Sequence, residues 1–241
     1  MDNSPAEEPQ HSKQLIISVH IPKTGGTTFL EVLRANAEDL FYLDYGVGIA
    51  PTGLYRDGKQ VADEAAPPPD FESISGRSVI HGHFWVKKYL AKFPRATYVT
   101  WLRDPVERLA SHYFYWQRTP FMENPLCNKV ISEKMSFEEF ARMDIARNVQ
   151  HRFLAPAGVE GFAFIGITEE YERSLTLFRR LICPDVEVDP QVHNSNPNRS
   201  SNFYGLEPTL REKILKLNEL DAYTYFEGIR RFHRLCEQAG I

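Results

Sequence analysis

The feature that most constrains the fold is a strand, a glycine turn and a helix start that follow one another between residues 15 and 33. The apolar run over residues 15–21, LIISVHI, has the content of a buried strand in a parallel sheet. Pro22 has no N–H to give to a sheet and ends the strand. Gly25 and Gly26 permit a tight turn, and residues 29–33 supply the apolar side of a helix. The segment therefore predicts an α/β fold with a helix that begins at the edge of a sheet.

The same segment carries groups that bind a phosphate. Free amides and the positive end of the helix dipole attract an anion at a helix N-terminus. Lysine adds a full charge, and threonine hydroxyls add donors. We assign this role to Lys23, Thr24, Gly25, Gly26, Thr27 and Thr28. The alternative is an ordinary strand-to-helix turn with a surface lysine.

The order of residues differs from that of the nucleotide triphosphatase loop. That loop, G-x-x-x-x-G-K-[ST], places lysine after the glycines and a hydroxyl on magnesium. Here Lys23 precedes the glycines, and no G-K-[ST] follows. The loop therefore suits a nucleotide phosphate that reacts without an obligatory metal.

A second candidate anion site follows a strand predicted over residues 96–102. Asp104 is a good N-cap, Pro105 suits the first helical position, and Glu107 completes a capping-box pattern. Arg103 then lies at the mouth of this helix, and Ser111 lies on the same face. Both side chains can bind a second phosphate; a surface arginine beside a routine cap is the alternative.

Two histidines end another short strand, in the sequence SVIHGHFW over residues 78–85. His83 is expected at the carboxyl edge of the sheet, where open α/β folds bind ligands. A histidine is suited to removing a proton near neutral pH. Taken alone, His81 and His83 are more typical of structural, hydrogen-bonded residues than of a catalytic pair.

Further elements are expected along the chain. Residues 40–45 and 162–167 predict strands, and Thr168 is expected to cap a helix. Ser136 and Glu139 form another capping-box pattern. Helices are expected over residues 144–154, 208–220 and 221–239.

Together the motifs I-P-K-T-G-G-T-T-F, H-G-H and L-R-D-P-V-E-R-x-x-S-x-Y-F resemble the sulfotransferases that use 3′-phosphoadenosine-5′-phosphosulfate (PAPS). The carbohydrate group, heparan sulfate 2-O- and 6-O-sulfotransferases and their bacterial relatives, is the most similar. The resemblance implies a P-loop-like three-layer fold with a central, mainly parallel sheet flanked by helices. It also implies PAPS as donor, adenosine 3′,5′-bisphosphate (PAP) as product, and no metal requirement.

The resemblance assigns roles to these residues. His83 matches the catalytic base, Lys23 the residue that stabilises charge on the leaving oxygen, and Arg103 with Ser111 the 3′-phosphate pair. His81 becomes a supporting or substrate-facing residue. Arg199 matches a loop that closes over the nucleotide, although a plain disordered loop over residues 192–205 fits as well.

The acceptor is a hydroxyl, and by resemblance one on a glycan or glycoconjugate; a lipid or secondary-metabolite alcohol remains open. Trp85 is a candidate for stacking on a sugar ring. Arg147 and Arg152 match a region that faces the acceptor, with a solvated helix face as the alternative. Further basic candidates are Arg56, Lys87 and Lys88.

Length and composition predict one domain. The 241 residues, 42% of them hydrophobic, fit a single α/β domain over residues 14–241, with a flexible tail over residues 1–13 and an active-site excursion over residues 46–78. A net charge of −4 argues against a general nucleic-acid binder. Three cysteines without paired spacing suggest reduced thiols and a cytoplasmic protein. The N-terminus shows neither a signal peptide nor a transmembrane segment.

Two other functions remain open. A metal-dependent ATP kinase with a degenerate phosphate loop would require magnesium and prefer ATP, although no matching acidic motif is evident. A non-catalytic nucleotide-binding protein would bind the bisphosphate without moving sulfate.

Overall fold

The computed structural model describes residues 14–45, 53–56, 59–62, 76–120, 122, 124–184 and 203–241. The strands are β1 (Gln14–Val19), β2 (Leu40–Leu43), β3 (Gly53–Arg56), β4 (Lys59–Ala62), β5 (Arg77–Gly82), β6 (Thr97–Leu102) and β7 (Phe164–Ile167). The helices are α1 (Gly26–Ala35), α2 (Lys87–Leu90), α3 (Pro105–Arg118), α4 (Pro125–Ser132), α5 (Phe137–Arg142), α6 (Val149–Leu154), α7 (Tyr171–Leu181), α8 (Pro208–Leu217) and α9 (Glu219–Ala239).

The strands form one sheet in the order β4-β3-β2-β5-β1-β6-β7. The five strands from β2 to β7 in this order are parallel, while β3 and β4 are antiparallel additions at one edge. Parallel strands need both faces covered, and β1 and β5 are accordingly buried on both sides along most of their length. The predicted α/β fold is confirmed. The carboxyl ends of the parallel strands meet at one edge of the sheet.

Two apolar clusters stabilise this arrangement. The larger one contains the sheet and its covering helices, and includes the aromatic contacts of Phe29 with Trp101 and Phe178. The smaller one joins α3, α4, α5 and α8 around Phe140 and Ile214. The second cluster positions α3, which follows β6 at the edge formed by the carboxyl ends of the parallel strands. This edge is called the functional edge below. All three cysteines are buried free thiols, as expected.

The segment over residues 46–78 contains more regular structure than expected. β3 pairs with β2, β4 pairs with β3, and β5 already begins at Arg77. Part of this segment therefore extends the sheet, and its role as an active-site excursion stays a prediction. The three consecutive prolines, the N-terminal tail and Arg199 lie outside the described residues.

The helix expected over residues 144–154 is shorter, because α6 begins only at Val149. Asn148 precedes it with φ 51°, and its side chain accepts hydrogen bonds from the N–H groups of Leu220 and Asp221 at the start of α9 (3.1 and 3.2 Å). Asp221 in turn accepts from the N–H of His151 in the first turn of α6 (2.8 Å). The two helices thus cap each other across about seventy residues.

None of the helices in the described ranges is both long and apolar enough to cross a lipid bilayer.

Candidate active site

The turn after β1 forms an open helix N-terminus. Gly25 adopts φ 90° at the N-cap, and no side chain caps the helix. The first bond of α1 is donated by the N–H of Phe29 to the carbonyl of Gly25 (3.5 Å). The N–H groups of Gly26, Thr27 and Thr28 come before this bond and have no intrahelical acceptor. Their position at the functional edge suits an anion.

Lys23 lies in this turn with a left-handed backbone, φ 71°. Its ammonium lies 3.9 Å from the ring centroid of Tyr115 in α3. Burial, followed by the like charges of Arg103 and Arg118, lowers the pKa of Lys23 to about 8. Cations that lower one another's pKa in a partly buried turn are typical of an anion site, because a bound anion relieves their mutual repulsion.

The side chain of Thr24 stabilises the turn itself. Its buried hydroxyl donates to the carbonyl of Ile21 (2.9 Å), so the predicted binding role of Thr24 depends on its backbone N–H. Thr27 is exposed, whereas Thr28 is buried.

Thr168 connects the turn to the end of β6. Its hydroxyl lies 2.7 Å from the carbonyl of Thr24 and 2.9 Å from that of Leu102. The expectation that Thr168 caps a helix is therefore wrong, since residues 168–170 form a 3₁₀ turn and α7 begins at Tyr171. One hydroxyl bridges two strand ends instead.

Arg103, a member of the second predicted phosphate site, also contacts the turn of the first. It follows β6, is 8% exposed, and its Nη1 donates to the carbonyl of Lys23 (3.2 Å). The side chain of Gln150 in α6 holds its backbone at both groups: Arg103 N–H donates to Oε1 (2.9 Å), and Nε2 donates to the Arg103 carbonyl (2.8 Å). Sequence reasoning missed the fully buried Gln150, for which a lone glutamine in a helix offers no signal.

The start of α3 confirms part of its prediction. Asp104 caps the helix through the N–H groups of Val106 and Glu107, with proline at the first position. The predicted capping box is wrong, because the buried carboxylate of Glu107 accepts from the Tyr204 N–H (2.8 Å) and from Arg211 (3.1 Å). Ser111 lies further along α3 and is 8% exposed.

His81 and His83 occupy different environments at the end of β5. His81 is 1% exposed, and its Nδ1 lies 2.9 Å from the hydroxyl of Ser18 in β1. Burial, with a smaller effect of His83, lowers the pKa of His81 to about 3. Its Nε2, like that of His83, has no hydrogen-bond partner within the described residues, so it is the nearly complete burial of the His81 ring that favours a supporting role over direct contact with an acceptor.

His83 has an open ring nitrogen. Its Nε2 is buried and has no hydrogen-bond partner within the described part of the chain. Burial, then the charge of Lys23, lowers the pKa of His83 to about 4, so the imidazole is neutral at pH 7. A neutral imidazole can accept a proton, and an unsatisfied buried nitrogen favours a ligand hydroxyl.

His20, which sequence reasoning also missed, lies beside both histidines directly after β1. Its ring centroid is 4.5 Å from that of His83 and 5.0 Å from that of His81. Its Nδ1 lies 3.1 Å from the hydroxyl of Tyr45. The available signal was a polar residue at the end of an apolar strand.

Gly26 is needed for a different reason than expected. Its backbone is not left-handed, but a Cβ at this position would lie 2.0 Å from Cδ2 and Nε2 of His20. The second glycine therefore makes room for the His20 ring rather than for a turn.

His112 of α3 is another, partly buried histidine whose charge interacts with Lys23 of the turn. Burial lowers its pKa to about 3, with smaller effects of Arg108, Lys23 and His83. Within the described ranges, no group of three or more histidine, cysteine, aspartate or glutamate side chains has a geometry that fits a metal ion.

The residues predicted to contact the acceptor differ in their exposure and in their partners. Trp85 is 46% exposed two residues after His83, and the ammonium of Lys87 lies 4.4 Å from its ring centroid. Lys88 instead pairs with Asp44 (2.5 Å).

The predicted acceptor arginines make local contacts. Arg147 pairs with Asp144, and Arg152 donates to the carbonyls of Ile145 and Asn148. None of these contacts joins them to the turn or to His83, so their acceptor role stays a prediction. The side chain of Arg56 lies outside the described residues.

Comparison with known proteins gives similar structures and one family. A sulfotransferase from Alicyclobacillus acidocaldarius aligns with a TM-score of 0.45 and 17% identity, over 88% of this chain and 94% of that chain. Mouse sulfotransferase SULT7A1 complexed with PAP aligns with a TM-score of 0.42 and 11% identity, over 88% of each chain. No curated protein sequence matches significantly. The family model described as the sulfotransferase family matches residues 10–227. Because this match spans most of the chain, the protein belongs to the sulfotransferase family.

Proposed function

We propose that this protein transfers the sulfuryl group of PAPS to an acceptor hydroxyl, with His83 as the general base. Sulfotransfer in general follows from the family. One observation carries the finer proposal: an open helix N-terminus, Lys23 and Arg103 converge at the sheet edge that also presents the unsatisfied Nε2 of His83. A carbohydrate acceptor is proposed on the sequence resemblance.

The residues present fit a donor with two anionic groups. The amides of Gly26, Thr27 and Thr28, together with Lys23, suit the 5′-phosphosulfate, and Arg103 with Ser111 suits the 3′-phosphate. The contact between Arg103 and the Lys23 carbonyl brings the two predicted phosphate sites together, which supports one ligand that spans both. When bound, PAPS supplies the activated sulfuryl group.

The roles of the protein's own residues follow from their environments. His83 is neutral at pH 7, and its Nε2 accepts the proton of the acceptor hydroxyl. Bound anionic groups raise the pKa of His83, because they offset the charge of Lys23 that now lowers it. Lys23 and the amides stabilise the charge that develops on the leaving oxygen. Catalysis then combines positioning and electrostatics, without an enzyme-bound intermediate.

The test measures transfer of labelled sulfate from PAPS to a panel of glycans, glycolipids and simple alcohols, with ATP and magnesium as the competing donor pair. We expect transfer to at least one hydroxyl and binding of PAP by calorimetry. His83→Ala should lower turnover by about 10²–10⁴-fold while PAP still binds. His233→Ala, in α9 at the Glu170 pair, serves as the matched control.

Each negative result contradicts a different part of the proposal: the donor, the base or the acceptor. Absence of PAP binding by the folded protein would overturn the donor. Full activity of His83→Ala would overturn the base alone. Transfer only to alcohols would overturn the carbohydrate acceptor.

A further inference from the structure

The ring of His20 lies between the phosphate-binding turn and the histidine pair of β5. On one side it occupies the space that a side chain at Gly26 would need, 2.0 Å from the ideal Cβ position. On the other side it stacks on His81 and meets the ring of His83 at an interplanar angle of 62°. His20 therefore contacts both the turn and His83.

The hydroxyl of Tyr45 sets the orientation of this ring. Tyr45 follows β2, and its hydroxyl is within 3.1 Å of His20 Nδ1. Its own ring also packs edge-on against His83, with 4.7 Å between centroids. Tyr45 therefore contacts both imidazoles, and rotation of His20 would break a partly buried hydrogen bond.

We propose that His20, oriented by Tyr45, is a positioning residue that fixes the base His83 relative to the phosphate-binding turn. The catalytic part of this role depends on the proposed function, whereas the packing part does not. His20 does not itself need to touch donor or acceptor. Its ring sets the distance between the base and the end of α1, where the donor is expected to bind.

The charges around the cluster suit this arrangement. Besides burial, charge on His83, on His81 of β5 or on Lys23 of the turn lowers the pKa of His20, and Lys23 and His83 also lower that of His112 in α3. Burial lowers the pKa of His20 well below its ordinary value, so its ring packs as a neutral group. Loss of the His20 ring would admit water beside His83, weaken its desolvation and raise the pKa of His83.

The first test needs no donor and compares thermal unfolding of Gly26→Ala, His20→Ala and the double variant. The three atoms nearest to the new methyl group all belong to His20. We therefore expect Gly26→Ala to lower the Tm, and the same change to have little further effect in the His20→Ala background. Equal effects of Gly26→Ala in both backgrounds would overturn the packing part.

The second test follows the His83 imidazole by NMR through a pH titration, again without donor. His20→Ala should move the His83 titration toward the ordinary value of about 6.5, whereas the matched control His233→Ala should leave it unchanged. In His20→Asn, whose amide can still reach Tyr45, the His83 titration should lie between those of the wild type and His20→Ala. His20→Phe should preserve the packing against His83 but not the hydrogen bond to Tyr45. An unchanged His83 titration in His20→Ala would overturn the coupling to the base.

The third test uses PAPS turnover. A base displaced by about 1 Å can lose up to about 10²-fold in rate, so kcat of His20→Ala should fall toward that extent while PAP affinity falls much less. Wild-type kcat in His20→Ala would overturn the catalytic role. If the wild-type protein moves no sulfate at all, the proposed function fails, and the first two tests still decide the packing role.

Discussion

The two predicted phosphate-binding regions are built in different ways. The turn at residues 23–28 is contiguous in sequence and presents mainly backbone amides. Arg103, in contrast, is positioned by side chains from distant elements: Gln150 of α6 holds its backbone, and Arg211 of α8 pairs with the neighbouring cap Asp104 (2.5 Å). A backbone site is determined by local conformation, whereas a side-chain site depends on the packing of several helices.

The largest expected effect concerns the charge of the turn. Lys23→Met should lower kcat by about 10²–10³-fold, because it removes a preorganised group that stabilises charge in the transition state. The measurement is sulfate transfer at saturating PAPS, with the exposed Lys129→Met of α4 as control. An unchanged kcat with only a higher KM would show that Lys23 binds the donor without stabilising the reaction.

The next effect tests whether Arg103 depends on its tertiary support. Gln150→Ala removes the two hydrogen bonds that Gln150 makes to the backbone N–H and carbonyl of Arg103, and it should cost about 1–3 kcal/mol of unfolding free energy. PAP affinity should fall as well, since Arg103 loses its fixed position. Calorimetry and denaturant unfolding measure the two effects, with the exposed Gln117→Ala as control. Reduced stability with unchanged PAP affinity would separate Arg103 from donor binding.

A third prediction concerns the pH dependence of stability and the partly buried His112 of α3. The pKa of His112 is about 3 in the folded protein, below the ordinary value of 6.5, so the unfolded chain binds more protons between these values. Stability is therefore highest above pH 6.5 and falls as the pH decreases toward 3. His112→Gln should reduce this pH slope by up to about 1.4 kcal/mol per pH unit. Denaturant unfolding at pH 7 and pH 5 measures it, and an unchanged pH slope in His112→Gln would contradict the assignment.

The smallest expected effect is on stability and lies away from both predicted phosphate sites. It concerns the hydrogen bonds by which the starts of α6 and α9 cap each other. Asn148→Ala should lower stability by about 0.5–2 kcal/mol through loss of the cap. Asn148→Gly loses the same cap but tolerates φ 51°, so it should be less destabilising. PAP affinity should stay unchanged in both variants. Reduced PAP affinity would mean that this region also positions Arg103.

Identical sequence patterns had different outcomes, and the reason is burial. Ser136 and Glu139 form the predicted capping box at an exposed helix start, where only local groups compete for the side chains. Asp104 and Glu107 show the same spacing, but Glu107 is fully buried and bonds Arg211, 104 residues away. A capping box can be predicted from sequence where no distant cation reaches the carboxylate.

The candidate site likewise contains residues set by local sequence and residues set by long-range packing. Gly25, Lys23 and Asp104 could be assigned from neighbours within a few residues, because turn and cap geometry are local properties. His20, Gln150 and the space beside Gly26 could not. Their partners lie 25 residues away for the His20–Tyr45 bond and 47 for the Gln150–Arg103 bonds.

The sequence by itself determined the class of fold, the strand–turn–helix that presents free amides, and the start of α3, since these depend on short-range backbone preferences and apolar patterning. Only the tertiary structure decided which side chains face one another at the sheet edge. Parallel strands that are far apart in sequence end side by side there, so the register of β1 against β5 and β6, rather than any motif, brings His20, His83 and Arg103 to one site.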